Sequence, residues 1–166
     1  MKRDFRQTNE FIRGSAAEKR VARWLQERGW HVIPSYDYAG SDGEKAPKLQ
    51  GFHEGYPVPD LDVCRSGIRK WVEVKSKSYS PWWGIGGYHV HGVDFSLFQH
   101  YQTVEILSGT ECWIAIYEED TRQLLCQSLR RLGPPDSIGT VYGKRMANWN
   151  RRKFRYLHTF DESEVA

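Results

Sequence analysis

The residues best suited to chemistry lie in VPDLDVCRSGIRKWVEVKSK, positions 58–77, where Asp60, Asp62, Glu73 and Lys75 occur among alternating apolar side chains. Leu61 to Arg65 and Ile68 to Lys75 each alternate like a strand, and Ser66-Gly67 between them is a turn signal, so the segment predicts a hairpin. A two-residue turn sets Asp60 opposite Glu73 and Asp62 opposite Trp71. Side chains directly opposed across a hairpin stand roughly 4.5–5.5 Å apart at Cβ, and two like charges at that distance repel unless something sits between them. A divalent cation does this, because carboxylates are hard oxygen ligands for Mg²⁺. Lys75 follows Glu73 by one strand period and shares its face, while Val72 and Val74 share the other. Carboxylates, a cation and a neighbouring ammonium are the parts that activate water and offset phosphate charge in hydrolysis. A slip of one residue would turn Asp60 away from Glu73. The competing reading is a surface hairpin whose acids pair with Lys75, Arg69 or Lys70.

The surrounding elements must place this hairpin. SAAEKRVARWLQERGW, from Ser15, predicts a helix with Ala17, Val21, Trp24 and Leu25 on one face and Gly29 at its end. Ser15 and Glu18 have the spacing of a capping box, which by itself accounts for Glu18. Residues 30–33 predict a short strand stopped by Pro34, residues 35–57 a long loop, and residues 79–91 an aromatic, Gly-containing loop. Asp94 is placed to cap a helix to Ser108-Gly109 with Leu97, Phe98, Tyr101, Val104 and Leu107 on one side. Strands follow at 111–117, near 124–127 and near 154–158, with a Gly/Pro turn region at 133–139. The order α-β-β-β-α-β with a β-rich tail predicts an α/β fold with a mixed central sheet flanked by helices. We expect one domain over 1–166, its core at about 14–118 and its basic tail at about 119–160.

Pro59-Asp60 followed by Glu73-Val74-Lys75, in that element order, resembles the PD-(D/E)XK nuclease superfamily of restriction-endonuclease-like and Holliday-junction-resolvase-like enzymes, phage nucleases among them. GSAAEKRVARWLQERGWHV resembles the first helix of its resolvase-like members, in which a helix glutamate joins the metal site. Glu18 holds the matching position. The resemblance spans roughly residues 14–118 and implies a restriction-endonuclease-like αβββαβ core. It also implies Mg²⁺-dependent cleavage of phosphodiester bonds, with Mn²⁺ as a substitute metal. Asp60, Glu73 and Glu18 would be metal ligands, and Lys75 would activate or orient water.

Several weaker features surround this centre. Asp62 is either an outer ligand or a solvated strand residue. On the helix after the motif, Gln99 is the polar candidate for the site, whereas Tyr101 falls on the apolar stripe and reads as core. His89 and His91 form a His-x-His pair without further ligands at suitable spacing, so zinc is set aside. The loop holding Trp82, Trp83 and Tyr88 suits either local packing or the mouth of the site against DNA. The segment Asn150-Arg-Arg-Lys-Phe-Arg155 offers Arg151, Arg152 and Lys153 to phosphates; such contacts position a nucleic acid without reading its sequence.

Composition narrows the remaining classes. The chain has 166 residues, 39 % of them hydrophobic, with 24 basic against 21 acidic side chains. The segment Arg122–His158 holds nine basic residues and one acid, Asp136, interleaved with aromatics, which suits a polyanion carrying stackable bases. No apolar run approaches a membrane span, no secretory signal is visible at the N-terminus, and three scattered cysteines read as buried thiols in a reducing compartment. The resulting expectation is a cytoplasmic Mg²⁺-dependent DNA endonuclease with no membrane partner. The alternatives are a junction resolvase acting as a homodimer and an inactive nucleic-acid-binding module on the same fold.

Overall fold

The computed structural model describes residues 9–34, 48–51, 53–161 and 163. Helix α1 (Asn9–Glu27) ends where Gly29 takes φ 78° and its N–H reaches the Gln26 carbonyl at 2.9 Å. After it come β1 (His31–Pro34), the ribbon β2 (Lys48–Gln50) with β3 (Gly55–Pro57), and the hairpin β4 (Leu61–Arg65) with β5 (Ile68–Lys77). Then come β6 (Trp82–Trp83), β7 (Tyr88–Asp94), α2 (Phe95–Ser108), β8 (Glu111–Glu118) and β9 (Gln123–Ser128). Helix α3 (Leu129–Leu132), β10 (Ser137–Val141), β11 (Lys144–Asn150), a 3₁₀ turn at Arg151–Lys153 and β12 (Arg155–Thr159) complete the described chain.

The main sheet runs β1-β4-β5-β8-β9-β12, and a second sheet runs β10-β11-β7-β6. In the main sheet β5 and β8 pair in parallel while the other neighbours pair antiparallel, so the sheet is mixed. A parallel pair needs a crossover, and α2 supplies it. Asp94 caps α2, its Oδ1 accepting the Ser96 N–H at 2.9 Å, and Gly109 ends it at φ 66°.

The alternation along β5 decides what covers each side of the sheet. Val72 and Val74 join Ala115 and Tyr117 against Ala17 and Val21 of α1. Trp71 joins Ile114 and Ile116 against Phe98, Tyr101 and Val104 of α2, together with Ala147 and Trp149 of β11. Both faces are dry, so any charged residue on them must be paired.

The hairpin has the expected register, Leu61 opposite Val72 and Asp62 opposite Trp71. Ser66 (φ 50°) and Gly67 (φ 78°) both lie in the left-handed region, as a two-residue turn matching strand twist requires. Other expectations are corrected. Helix α1 starts well before Ser15, so Ser15 is not its N-cap and Glu18 is not explained by a capping box. The segment 79–91 is not only a loop: two short strands in it pair Trp82 with His89 and Trp83 with Tyr88. Of the loop expected over 35–57, residues 35–47 lie outside the described residues, and residues 48–57 contain the β2–β3 ribbon. The tail is built into both sheets, and α3, β10 and β11 form around the turn region expected at 133–139, where the sequence predicts no helix or strand. All three cysteines are free, but Cys64 on β4 is exposed.

Gly92 of β7 sits opposite Asn148 of β11. A Cβ there would stand 2.7 Å from the Ala147 carbonyl, and that carbonyl belongs to a core strand. Gly92→Ala is therefore expected to destabilise the protein by about 1–3 kcal/mol, the range for overpacked sites. Urea unfolding checks this against Gly139→Ala, whose new Cβ meets nothing nearer than 3.5 Å and should leave stability nearly unchanged.

Candidate active site

Glu73 and Lys75 lie on the α2 side of β5. Glu73 is 1 % exposed, which no lone carboxylate tolerates, and it has two partners. The Tyr101 hydroxyl donates to Glu73 Oε2 at 2.6 Å, and Lys75 Nζ forms an ion pair with Glu73 Oε1. Asp60, immediately before β4, is 8 % exposed, and its Oδ2 accepts the Val74 N–H at 2.8 Å. One hydrogen bond thus ties Asp60 to the residue between Glu73 and Lys75.

The electrostatics show how tightly the groups are gathered. Burial pushes the Asp60 carboxyl well above the ordinary carboxylate range, and the charge of Glu73 pushes it further. Lys75 opposes the rise, Glu18 adds to it, and the Val74 N–H lowers it slightly. Two further carboxylates and one ammonium therefore act on Asp60. Glu18 reaches this centre from α1, where it is half-buried.

Such a crowd of acids suits a cation. Among the described residues no three His, Cys, Asp or Glu side chains gather into a complete ligand set. The donors are the Asp60–Glu73 pair, with Glu18 contributing charge from the side. Asp60 and Glu73 are the residues that could hold a hard divalent cation, which can be bound through one or two carboxylates.

No protein-family model matches the sequence, and no curated protein does. Among solved structures, a nuclease from a fusellovirus superposes with a TM-score of 0.52 at 11 % identity, over 95 % of this chain and 90 % of that one. The chain shares the fold of that structure, an α/β fold with a mixed central sheet. A Holliday junction resolvase from Archaeoglobus fulgidus gives 0.49 at 12 % identity, over 78 % of this chain and 81 % of its own. A bacterial homing endonuclease gives 0.43 at 14 % identity, over 93 % and 82 %.

Within this fold, the remaining sequence candidates separate. Tyr101 is both core and site: it is 2 % exposed, and its hydroxyl holds Glu73. The apolar stripe alone marks Tyr101 as core, although a buried tyrosine hydroxyl needs a polar partner and Glu73 is the acid across the crossover. Gln99 is exposed and lies about 200° round α2 from Tyr101, so it faces away from the site. Asp62 is taken by Arg69 in a two-pronged pair at 2.9 and 2.7 Å, one of the ion pairs of the competing surface-hairpin reading.

Further along the same face, Lys77 opposes Glu118 of β8. Burial, and then the charge of Lys75, lowers the Lys77 pKa. Glu118 is 2 % exposed and accepts from Arg151 at 2.7 Å on both oxygens and from His91 Nε2 at 2.5 Å. Arg151 is thus a structural anchor rather than an open phosphate contact, and Lys153 is likewise paired with Asp136 at 2.6 Å. Arg152 is exposed. Trp83 is turned toward Gly139 of β10, so it belongs to packing, whereas Trp82 is 60 % exposed. No described helix is long and apolar enough to cross a membrane.

Glu118 sets a pH dependence. Burial alone would raise its pKa, but the bonds from Arg151 and His91 outweigh that and hold it at about 2, below the ordinary 4.5. A depressed folded pKa gives stability that is present above pH 4.5 and lost as pH falls toward 2. The difference corresponds to about 3 kcal/mol. Thermal melts should show a steep loss of stability across that acid window, and a smaller one in Glu118→Gln, which should already be less stable at neutral pH.

Proposed function

We propose that this protein is a metal-dependent nuclease that hydrolyses phosphodiester bonds in DNA, cutting within the strand. The observation carrying this reading is the convergence of Asp60, Glu73 and Lys75 beside β5, joined through the Val74 N–H and the Glu73–Lys75 pair. The likeness in fold to a viral nuclease supports it.

Asp60 and Glu73 would hold Mg²⁺, or Mn²⁺ in its place, with Glu18 of α1 as an accessory acid. The ion supplies Lewis-acid polarisation of a phosphoryl oxygen and makes a coordinated water more acidic. Lys75 would orient the attacking water and offset negative charge that builds on the phosphoryl oxygens. Tyr101 fixes the Glu73 carboxylate so that one oxygen stays turned toward Lys75. With Arg151 and Lys153 already paired, phosphate contacts from the tail fall mainly to Arg152.

Supercoiled, linear, single-stranded and branched DNA, each incubated with Mg²⁺ and with EDTA, test the reading. Cleavage should require the metal and disappear in Lys75→Ala, while folding and DNA binding in EDTA persist. Turnover that survives in EDTA or in Lys75→Ala would overturn it. Tyr101→Phe should lower the cleavage rate by roughly tenfold, the order of one lost positioning hydrogen bond at about 1.4 kcal/mol. Mg²⁺ should also raise the melting temperature, and by less as the pH is lowered, because burial and Glu73 raise the Asp60 pKa and protonation of that carboxyl competes with the metal.

A further inference from the structure

Beyond the carboxylate centre, a groove of about 390 Å³ opens between the β6–β7 turn and the 3₁₀ turn. Its volume falls among pockets that hold small molecules, about 300–1,000 Å³. One wall is aromatic. Trp82 is 60 % exposed and rests edge-on against His89, with ring centroids 5.2 Å apart. His89 is itself fixed, its Nδ1–H donating to the Ser80 carbonyl at 2.7 Å. The indole is therefore braced on one side and open to the groove on the other.

The opposite wall is cationic. The Asn150 side chain accepts the Arg152 N–H at 2.9 Å and shapes the turn. Arg151 is pinned by Glu118 and by Gln123 at 2.9 Å. This leaves the Arg152 guanidinium, on an exposed residue, facing solvent beside the groove.

The groove is aligned with the proposed site. Glu73, Lys75 and Lys77 follow one another on one face of β5, and Lys77 stands beside Glu118, the residue that pins Arg151. From Glu73 to Lys77 the strand advances about 13 Å, and Lys77 is the last of these residues before the Glu118–Arg151 pair beside the groove.

An open indole and a guanidinium, without a fixed array of base-edge donors, suit stacking that tolerates any base. Inside a duplex the base faces are covered by their neighbours. Only an unpaired nucleotide presents a face to Trp82. We infer that this groove binds an unpaired nucleotide of the strand being cut, so that the enzyme prefers DNA whose duplex is interrupted or extended by a single strand. This deepens the nuclease reading and rests on it.

The probes are a labelled oligo-dT and a blunt duplex, whose binding is followed by fluorescence anisotropy in EDTA. Cleavage in Mg²⁺ is compared on a blunt and a forked duplex. Oligo-dT should bind wild type and Lys75→Ala alike. It should bind Trp82→Ala roughly tenfold more weakly, with Trp82→Phe recovering much of the loss. Blunt-duplex binding should change far less, and the forked-to-blunt cleavage ratio should fall in Trp82→Ala. Melting curves confirm that each variant is folded. If wild type cleaves nothing while the Trp82-dependent oligo-dT binding remains, the nuclease reading fails and the groove assignment stands. If wild type cleaves but Trp82→Ala binds oligo-dT normally, or weakens both probes equally, the groove assignment is overturned.

Discussion

Two carboxylates are forced together at the edge of a dry layer by hydrogen bonds that are indifferent to charge. Asp60 faces Glu73 because the β4–β5 ladder has one register, set by two consecutive left-handed residues, Ser66 and Gly67. The ladder also buries Leu61, Val63, Val72 and Val74, so sliding it to relieve the repulsion would turn apolar side chains outward. Backbone pairing and apolar burial thus hold a cluster of negative charge that the side chains alone would disperse. The tension is relieved by Lys75, by the Val74 N–H and by whatever positive charge the cluster admits.

The two faces of the sheet contribute differently to this centre. On the α2 side, the phenol of Tyr101 reaches through the apolar stripe to grip Glu73. On the α1 side, Glu18 sits one turn-step from the buried Ala17 and Val21 and is felt at Asp60. The same α2-side face continues into a second buried polar knot of Glu118, His91 and Arg151, which clamps the 3₁₀ turn and β7 to β8. That clamp lets the smaller sheet act as a fixed wall rather than a hinged flap.

The parts of this arrangement that depend on near neighbours were legible in the sequence. The hairpin register followed from Ser66-Gly67, the α2 cap from Asp94, and the end of α1 from Gly29. Features set by distant partners were not. Tyr101 gives no local sign that its hydroxyl meets Glu73, and Arg151 looks like any basic tail residue until Glu118 is brought beside it. Strands β10 and β11 have little alternation of their own and exist because β7 offers an edge. Conversely, the helical start of α1 removed an expected capping role from Glu18, because the residues upstream of Ser15 extend the helix.

The parallel join of β5 to β8 has a temporal side. Asp60 and Glu73 meet through a short hairpin, a contact the chain makes early and locally. The cover that desolvates Glu73 arrives only after α2 has crossed over and Ile114 has docked beside it, a closure over a long stretch of sequence. A chain still emerging during synthesis would hold the acidic ribbon in water, hydrated and poorly ordered. Maturation of the carboxylate centre is thereby tied to completion of the sheet.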